Sequence, residues 1–359
     1  MYQCKNCGGE LRFDVATQAL RCQSCKATFN PYNVEKERDA EYLDFMEVNV
    51  FRCTQCGAEI QSEDQSISGF CSYCGAATVL DKKIEKVSRP KYIIPFQIKK
   101  EYCINEFQKR VEKDIYAPDE LKITGGVEAL RGIYMPYWMY HFKQSGIMNL
   151  RINNVGSSYG NKGHSQSASY VTNELIKMTA EYDGMAHDAS STFPDRVSEK
   201  IGPYDIYNRL LKFSPAFLTG FYADSSDIPS ESYMFYESEH CKEISVQRIK
   251  NRLSQNQTLK SSDEEVRRQI KSELVDKDLA MFPVWFLSLR RHNRISHIAV
   301  NGQTGKLLAD IPISIKKFVK YTLLLALPIF ILLFLIPGSF GEFSMICAML
   351  MTLLAEIIY

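Results

Sequence analysis

The sequence predicts a multidomain α+β fold: two small β ribbons at the N-terminus, a central α+β domain and a C-terminal transmembrane helical hairpin. Three observations carry this. Eight of the eleven cysteines fall in the first 74 of 359 residues, in two copies of one spacing. A long middle region mixes strand-like and helix-like apolar periods. An uncharged apolar run follows Lys320. The chain thus divides into a first ribbon (1–31), a linker (32–49), a second ribbon (50–80), a linker (81–91), an α+β domain (92–315) and two apolar segments (318–337 and 343–359).

The ribbons come first. One set is Cys4, Cys7, Cys22 and Cys25; the other is Cys53, Cys56, Cys71 and Cys74. Each reads Cys-x2-Cys, fourteen residues, Cys-x2-Cys, and every member of the second set lies 49 residues after its counterpart. That is an internal duplication. Zinc takes four thiolates at tetrahedral corners. A Cys-x2-Cys knuckle offers two thiolates from one tight turn, and a hairpin brings the second knuckle alongside. Gly8, Gly57 and Gly75 directly follow knuckle cysteines, where a left-handed residue turns backbone N–H groups toward sulfur. Lys26 holds the fourth such position and predicts a looser knuckle. Leu11, Phe13 and Leu20, and Ile60, Ile67 and Phe70, suit short hairpin strands. Two Zn2+ ions are therefore expected, with iron as the competing metal because a rubredoxin-like site uses the same ligands. The chain opens Met-Tyr-Gln-Cys with neither a basic nor an apolar leader, so a reducing cytosol is expected for these thiols and disulfides are disfavoured.

Charge argues against nucleic acid as the partner. Lys+Arg is 43 and Asp+Glu is 42 over the whole chain. Residues 1–80 carry seven basic and eleven acidic side chains, a formal −4. Eight thiolates and two zinc ions bring this to −8, the wrong sign for a module whose affinity rests on counterion release from phosphates.

In the middle region, Asn33 to Glu47 reads as a short helix, Tyr92 to Phe96 as a strand and Lys100 to Ile115 as a helix. Ile133 to Phe142 and Ile147 to Ile152 read as strands. Asn153 to Ser169 reads as a mobile, Gly/Ser/Asn-rich loop, and Val171 to Tyr182 as the returning strand. Arg196 to Leu211, Ser245 to Leu253 and Ser262 to Val275 read as helices. Phe282 to Leu289 and Arg294 to Val300 read as a hairpin, followed by a turn at Asn301 to Gly305 and a last strand. The only tryptophans, Trp138 and Trp285, both stand in Pro-x-Trp. This pattern fits either a second internal repeat or two core tryptophans in edge-entering strands.

No catalytic constellation is legible. Gly302 to Lys306 lacks the spacing of a phosphate loop and is followed by Leu307 instead of Ser or Thr. The six histidines (His141, His164, His187, His240, His292, His297) are scattered, and Cys103 and Cys241 are isolated. A non-enzyme is expected, with no small-molecule substrate identified.

Tyr321 to Pro337 contains no charge and approaches the ~20 apolar residues of a spanning helix. Phe343 to Tyr359 is apolar apart from Glu356. Lys316, Lys317 and Lys320 precede the first segment, so the positive-inside rule puts residues 1–317 in the cytoplasm of a cell-membrane protein.

Together these features resemble a bacterial family described as TFIIB-type zinc ribbon-containing, some of whose members carry the label of the PriA replication-restart helicase. The resemblance rests on the tandem ribbons, on Tyr92 to Phe96 (Tyr-Ile-Ile-Pro-Phe), on Tyr134 to Trp138 (Tyr-Met-Pro-Tyr-Trp), on Pro283 to Phe286, on Asn301 to Lys306 and on the apolar tail. It implies a membrane-anchored companion of SPFH-domain (virion-core-like) proteins and phage-shock protein A in membrane stress. The helicase label does not suit this chain, which has no nucleotide-binding motif.

Overall fold

The computed structural model describes residues 2–35, 45–62, 71–76, 80–122, 130–159, 165–291 and 294–334. Two units divide the chain, one of Met1–Cys103 with Ala129–Ala309 and one of Ile104–Glu128 with Asp310–Tyr359.

The first ribbon is β1 (Leu11–Asp14), β2 (Ala19–Cys22) and β3 (Thr28–Phe29), followed by α1 (Pro31–Glu35). The second is β4 (Phe45–Cys53), β5 (Glu59–Ser62) and β6 (Leu80–Ser88). Then come β7 (Tyr92–Ile93), α2 (Lys100–Lys113), α3 (Asp119–Lys122), β8 (Arg131–Tyr159) and β9 (Ser165–Asp188). After them lie α4 (Asp195–Ile201), α5 (Ile206–Arg209), β10 (Leu211–Lys212), β11 (Tyr222–Asp224), α6 (Glu231–Arg252) and β12 (Gln257–Leu259). The last elements are α7 (Asp263–Arg268), β13 (Lys271–Arg291), β14 (Arg294–Asn301), β15 (Leu307–Ala309) and α8 (Ile315–Phe334).

The long strands β8 and β13 form the spine of the first unit. They pair antiparallel from Lys271↔Ser145 to Phe286↔Arg131. The described strands of the larger sheet run β10-β7-β13-β8-β11-β5-β4-β6, with β9 and β12 also on β8, and β14 on β13. Each spine strand carries a proline, which cannot donate to a ladder and is unfavourable in a central strand. Pro136 lies where the outer neighbour of β8 changes from β11 (Ile133, Tyr134) to β9 (from Tyr137). Pro283 lies where the outer neighbour of β13 changes from β7 (Ala280, Met281) to β14 (from Val284). The carbonyls of both prolines point outward, accepting from Ala189 and Gly302. The missing N–H groups therefore fall at gaps in the ladder. Two residues on, each tryptophan donates its indole N–H to a carbonyl: Trp138 to Ile228 and Trp285 to Ile98, both at 2.8 Å. The same device occurs twice on adjacent antiparallel strands. The tryptophans sit in central strands, not in edge-entering ones.

One core holds Met135, Tyr137, Phe282, Phe286 and Phe193 together with Cys53, Cys71, Tyr73 and Cys74 of the second ribbon. On β8, Met148, Leu150 and Ile152 pack on Val246, Ile249 and Val266 of α6 and α7.

The structure corrects several expectations. Residues 45–49 and 81–88, read as linker, are strand, because β4 and β6 pair from Phe45↔Ser88 to Cys53↔Leu80. Asn33 to Glu47 is no single helix: α1 ends at Glu35 and β4 starts at Phe45. The two strands expected over 133–152 are one, and it runs on through the Gly/Ser-rich stretch to pair Tyr159 with Ser165. Backbone ladder bonds need no apolar side chains, which is why composition concealed it. Gly146 permits the continuity, since a Cβ there would lie 2.7 Å from the Gln269 carbonyl. The 196–211 helix breaks at Gly202-Pro203 into α4 and α5. Helix α7 stops at Arg268, and Lys271 to Val275 joins β13.

In the second unit, Lys317 binds the Ala117 carbonyl (2.7 Å) and Asp119 (2.6 Å), while Tyr116 meets the rings of Phe318 and Tyr321. Helix α8 keeps Leu323, Leu324, Leu325, Leu327 and Ile329 exposed. Its charge-free part begins only at Tyr321, and no helix among the described residues is long and apolar enough to cross a membrane. The second apolar segment, 343–359, lies outside the described residues.

Gly302 tests the proline junction. A Cβ there would meet Phe96 Cδ1 at 2.6 Å and Pro283 Cβ at 2.8 Å. We expect Gly302→Ala to cost ~2 kcal/mol by overpacking, read as a lowered urea midpoint at unchanged slope. An unchanged midpoint would contradict the packing.

Candidate metal centres

Each ribbon gathers its four sulfurs within 4.8 Å of one another. In the first, Cys4 and Cys25 are 3.6 Å apart and Cys7 and Cys22 3.4 Å; in the second, Cys53 and Cys74 are 3.9 Å apart and Cys56 and Cys71 3.8 Å. A tetrahedron with metal–sulfur bonds near 2.3 Å has edges of about 3.8 Å. A disulfide would need about 2.05 Å, and all eight cysteines are free thiols.

The local chain explains why the sulfurs converge. In every knuckle the first cysteine donates its N–H to the carbonyl five residues on: Cys4 to Gly9, Cys22 to Ala27, Cys53 to Ala58 and Cys71 to Ala76. Its carbonyl accepts from the residue four on: Gly8, Lys26, Gly57 and Gly75. Those four residues have φ of 73°, 64°, 78° and 68°. Lys26 adopts the left-handed conformation that the three glycines adopt without a Cβ penalty. Its ammonium binds the Gln23 carbonyl at 2.6 Å. The looser knuckle expected here is thus a strained one of the same shape.

Four crowded thiols cannot all ionise unaided. N–H donation from Cys25 draws the Cys22 thiol down to about 6. The Ala27 N–H pulls Cys25 down too, but the sulfurs of Cys7, Cys22 and Cys4 push it up to about 12. Burial pushes Cys71 up to about 11. A divalent cation among the sulfurs removes this conflict and favours the thiolates.

The two clusters differ in setting. The first ribbon rests on the domain through its hairpin: Phe13 donates its N–H to the Thr219 carbonyl and its ring lies 5.3 Å from Phe217. The second is built into the sheet. Strand β5 pairs with β11 through Gln61↔Ala223 and Ile60↔Asp224. Tyr73, between Cys71 and Cys74, is buried with its ring 5.7 Å from Phe286. Asp224 lies beside it, fully buried, accepting from the Ser190 hydroxyl (2.5 Å) and the Ser225 N–H (2.9 Å). Burial lifts its carboxyl to about 7 despite those donors.

All eight expected ligand residues are thus brought together in two fours. Of the expected strand residues, Leu11, Phe13, Leu20 and Ile60 are buried, while Ile67 and Phe70 lie outside the described residues. Cys103 and Cys241 are buried, and burial pushes both thiols to about 12. What residue spacing did not reveal is that His187 meets Glu237, fifty positions away, at 3.0 Å. The partners lie on β9 and α6, so no local motif could signal it.

Fold and sites define an α+β protein carrying two tetracysteine β ribbons, each able to hold a metal ion. The chain is 27% identical over 320 residues to the uncharacterized protein YdjG of Bacillus subtilis (strain 168), spanning 87% of this chain and 90% of that protein. No family model matches the chain, and no solved structure matches it.

Three outcomes follow from the geometry. Elemental analysis of Cys7→Ser should show one metal lost while the domain stays folded; Cys71→Ser should lose a metal and also lower the melting temperature, since Cys71 is in the core. Equal melting losses for the two would contradict the difference in setting. Lys26→Gly should stabilise the first ribbon by ~1 kcal/mol by relieving left-handed strain, measured as slower metal release to a chelator. For Asp224, the folded carboxyl binds its proton more tightly than the ordinary value of 3.8. Its contribution is therefore greatest at low pH and falls as pH rises from about 4 to about 7. Asp224→Asn should remove that component, seen as a flatter difference between wild-type and variant stability above pH 7 than across that window.

Proposed function

We propose that this protein is a non-enzymatic, membrane-anchored scaffold whose two ribbons each hold a Zn2+ ion and whose cytoplasmic domain docks partner proteins. The observation that carries the reading is the way the ribbons are joined to the domain. The second shares its core, and the first is packed against Phe217. Zinc in such places acts as a clip for modules with too little core to fold alone. The acidic surroundings, −8 with metals and thiolates counted, favour a protein partner over a phosphate backbone. A membrane-tethered nucleic-acid-binding protein is the alternative, and it needs a basic face that residues 1–80 do not supply.

The anchor reading rests on α8. Its exposed leucines follow Lys316, Lys317 and Lys320 on the same helix, and the uncharged sequence continues to Pro337. We place residues 1–317 on the cytoplasmic side and the apolar segments 318–337 and 343–359 in the bilayer as a hairpin. The family resemblance suggests the setting of membrane stress, with SPFH-domain and phage-shock protein A-like proteins as partners.

Fractionation tests the reading. The full chain should sediment with membranes and resist carbonate extraction, whereas a chain ending at Ser314 should be released, still with two zinc equivalents. A full chain found in the soluble fraction would reject the anchor. Partner capture from detergent extracts should fail for Cys4→Ser with Cys53→Ser; an unchanged set of captured proteins would remove the ribbons from docking.

A further inference from the structure

A cleft of about 760 Å³ opens beside β9, away from the cysteine clusters. Among the described strands β9 pairs only with β8, so the opposite edge, from Gly184 to Asp188, faces the cleft. Alternation along that edge sends His187 and Asp188 to opposite faces of the strand. Helix α6 brings Glu237 to one side and α4 brings Ser198 and Glu199 to the other.

Two side-chain atoms at the cleft are buried without a hydrogen-bond partner. Asp188 is 2% exposed, and its Oδ1 has none. The His187 side chain is 10% exposed, and its Nε2 has none. The Nδ1 of His187 is fixed on Glu237, which as a carboxylate can only accept. A buried carboxylate oxygen without a donor is unfavourable, and such a group at a cleft marks a place for one.

The rest of the lining has the same character. The carboxylates Asp183, Asp188, Glu199 and Glu237 line the cleft against one lysine, Lys306, whose ammonium is engaged by the Gly202 carbonyl at 2.5 Å. Tyr204, Tyr207, Tyr236 and Phe282 supply aromatic faces, with Tyr207 82% exposed at the mouth. Carboxylates at depth and aromatic walls are the combination that takes up a weakly hydrated organic cation.

We propose that this cleft binds an ammonium or guanidinium group, held by Asp188 and flanked by the tyrosines. A multi-donor cation supplies the donor that Asp188 Oδ1 lacks, whereas an anion would meet four carboxylates. The cation can arrive on a free amine or on an arginine side chain of an extended chain lying along the open edge of β9. The site does not depend on the scaffold reading or on zinc.

The test is calorimetric titration of the full chain in detergent with agmatine, with its uncharged analogue N-butylurea, and with an acetylated, amidated pentapeptide bearing a central arginine. Saturable binding of a cationic probe and none of N-butylurea is expected. Asp188→Asn should weaken it at least about tenfold, the effect of removing a buried charge partner. Asp188 is a core residue, so Glu199→Gln on the exposed rim provides a second variant, expected to weaken binding a few-fold without changing the melt. Glu174→Gln, on the distant part of β9, should change nothing. Tighter binding of the pentapeptide assigns the cation to a chain segment; tighter binding of agmatine assigns it to a free amine. No saturable binding of either cation, equal binding of N-butylurea, or equal loss in Glu174→Gln and Glu199→Gln would overturn the proposal.

Discussion

The β8–β13 ladder is the constraint on which the rest of the first unit depends. Both strands are too long for one neighbour on their outer sides, and each changes neighbour at a proline. That change positions everything else. On β8 it admits β11 below Pro136 and β9 above it. Through β11 it carries the second ribbon, because β5 pairs with β11 and not with the spine. On β13 it admits β7, then β14, whose turn closes through Asn301 Oδ1 accepting from Gln303 and Thr304. A residue that could donate at position 136 or 283 would present an N–H where no ladder partner waits.

Legibility in the sequence followed the range of the interactions. The metal clusters were legible because each knuckle is closed by bonds spanning four or five residues, and because the copy at 49 residues repeated every ligand. The β13–β14 hairpin and the Asn301 turn were legible for the same reason. The extension of β8 and β9 through Gly156, Ser157 and Ser158 was not, since a ladder is a property of two backbones and polar composition does not forbid it. Likewise Lys271 to Val275 could read as the tail of an acidic-capped helix. Its capping box at Ser262 and Glu265 is real, yet the helix ends at Arg268 because pairing with Lys143 to Ser145 wins over local propensity.

The same distinction applies to the histidines. His187 reads as one strand residue among several, and on β9 it is one. Its interest comes from α6, which places Glu237 against its Nδ1 and Tyr233 against its ring at 3.7 Å. Burial lowers the basicity of the ring, while the facing carboxylates Glu237, Asp188 and Asp195 raise it, and the net direction is upward. A histidine held this way is a positioned group whose partner was chosen by tertiary structure, which no spacing rule can register.

The structure also sharpens the difference between two duplicates of one module. Both ribbons keep the knuckle geometry at all four turns, so selection on metal binding alone would leave them equivalent. They are not equivalent in their attachments. The first touches the domain through a hairpin edge and the Phe13 and Gln18 contacts. The second has surrendered an edge strand and three cysteines to the main core. Removing metal from the second therefore exposes core that includes Phe51, Met135 and Phe286, whereas removing it from the first loosens a surface module. Of the two clusters, the second is therefore the one whose thiols are tied to the domain's core, and the first is the one set apart from it.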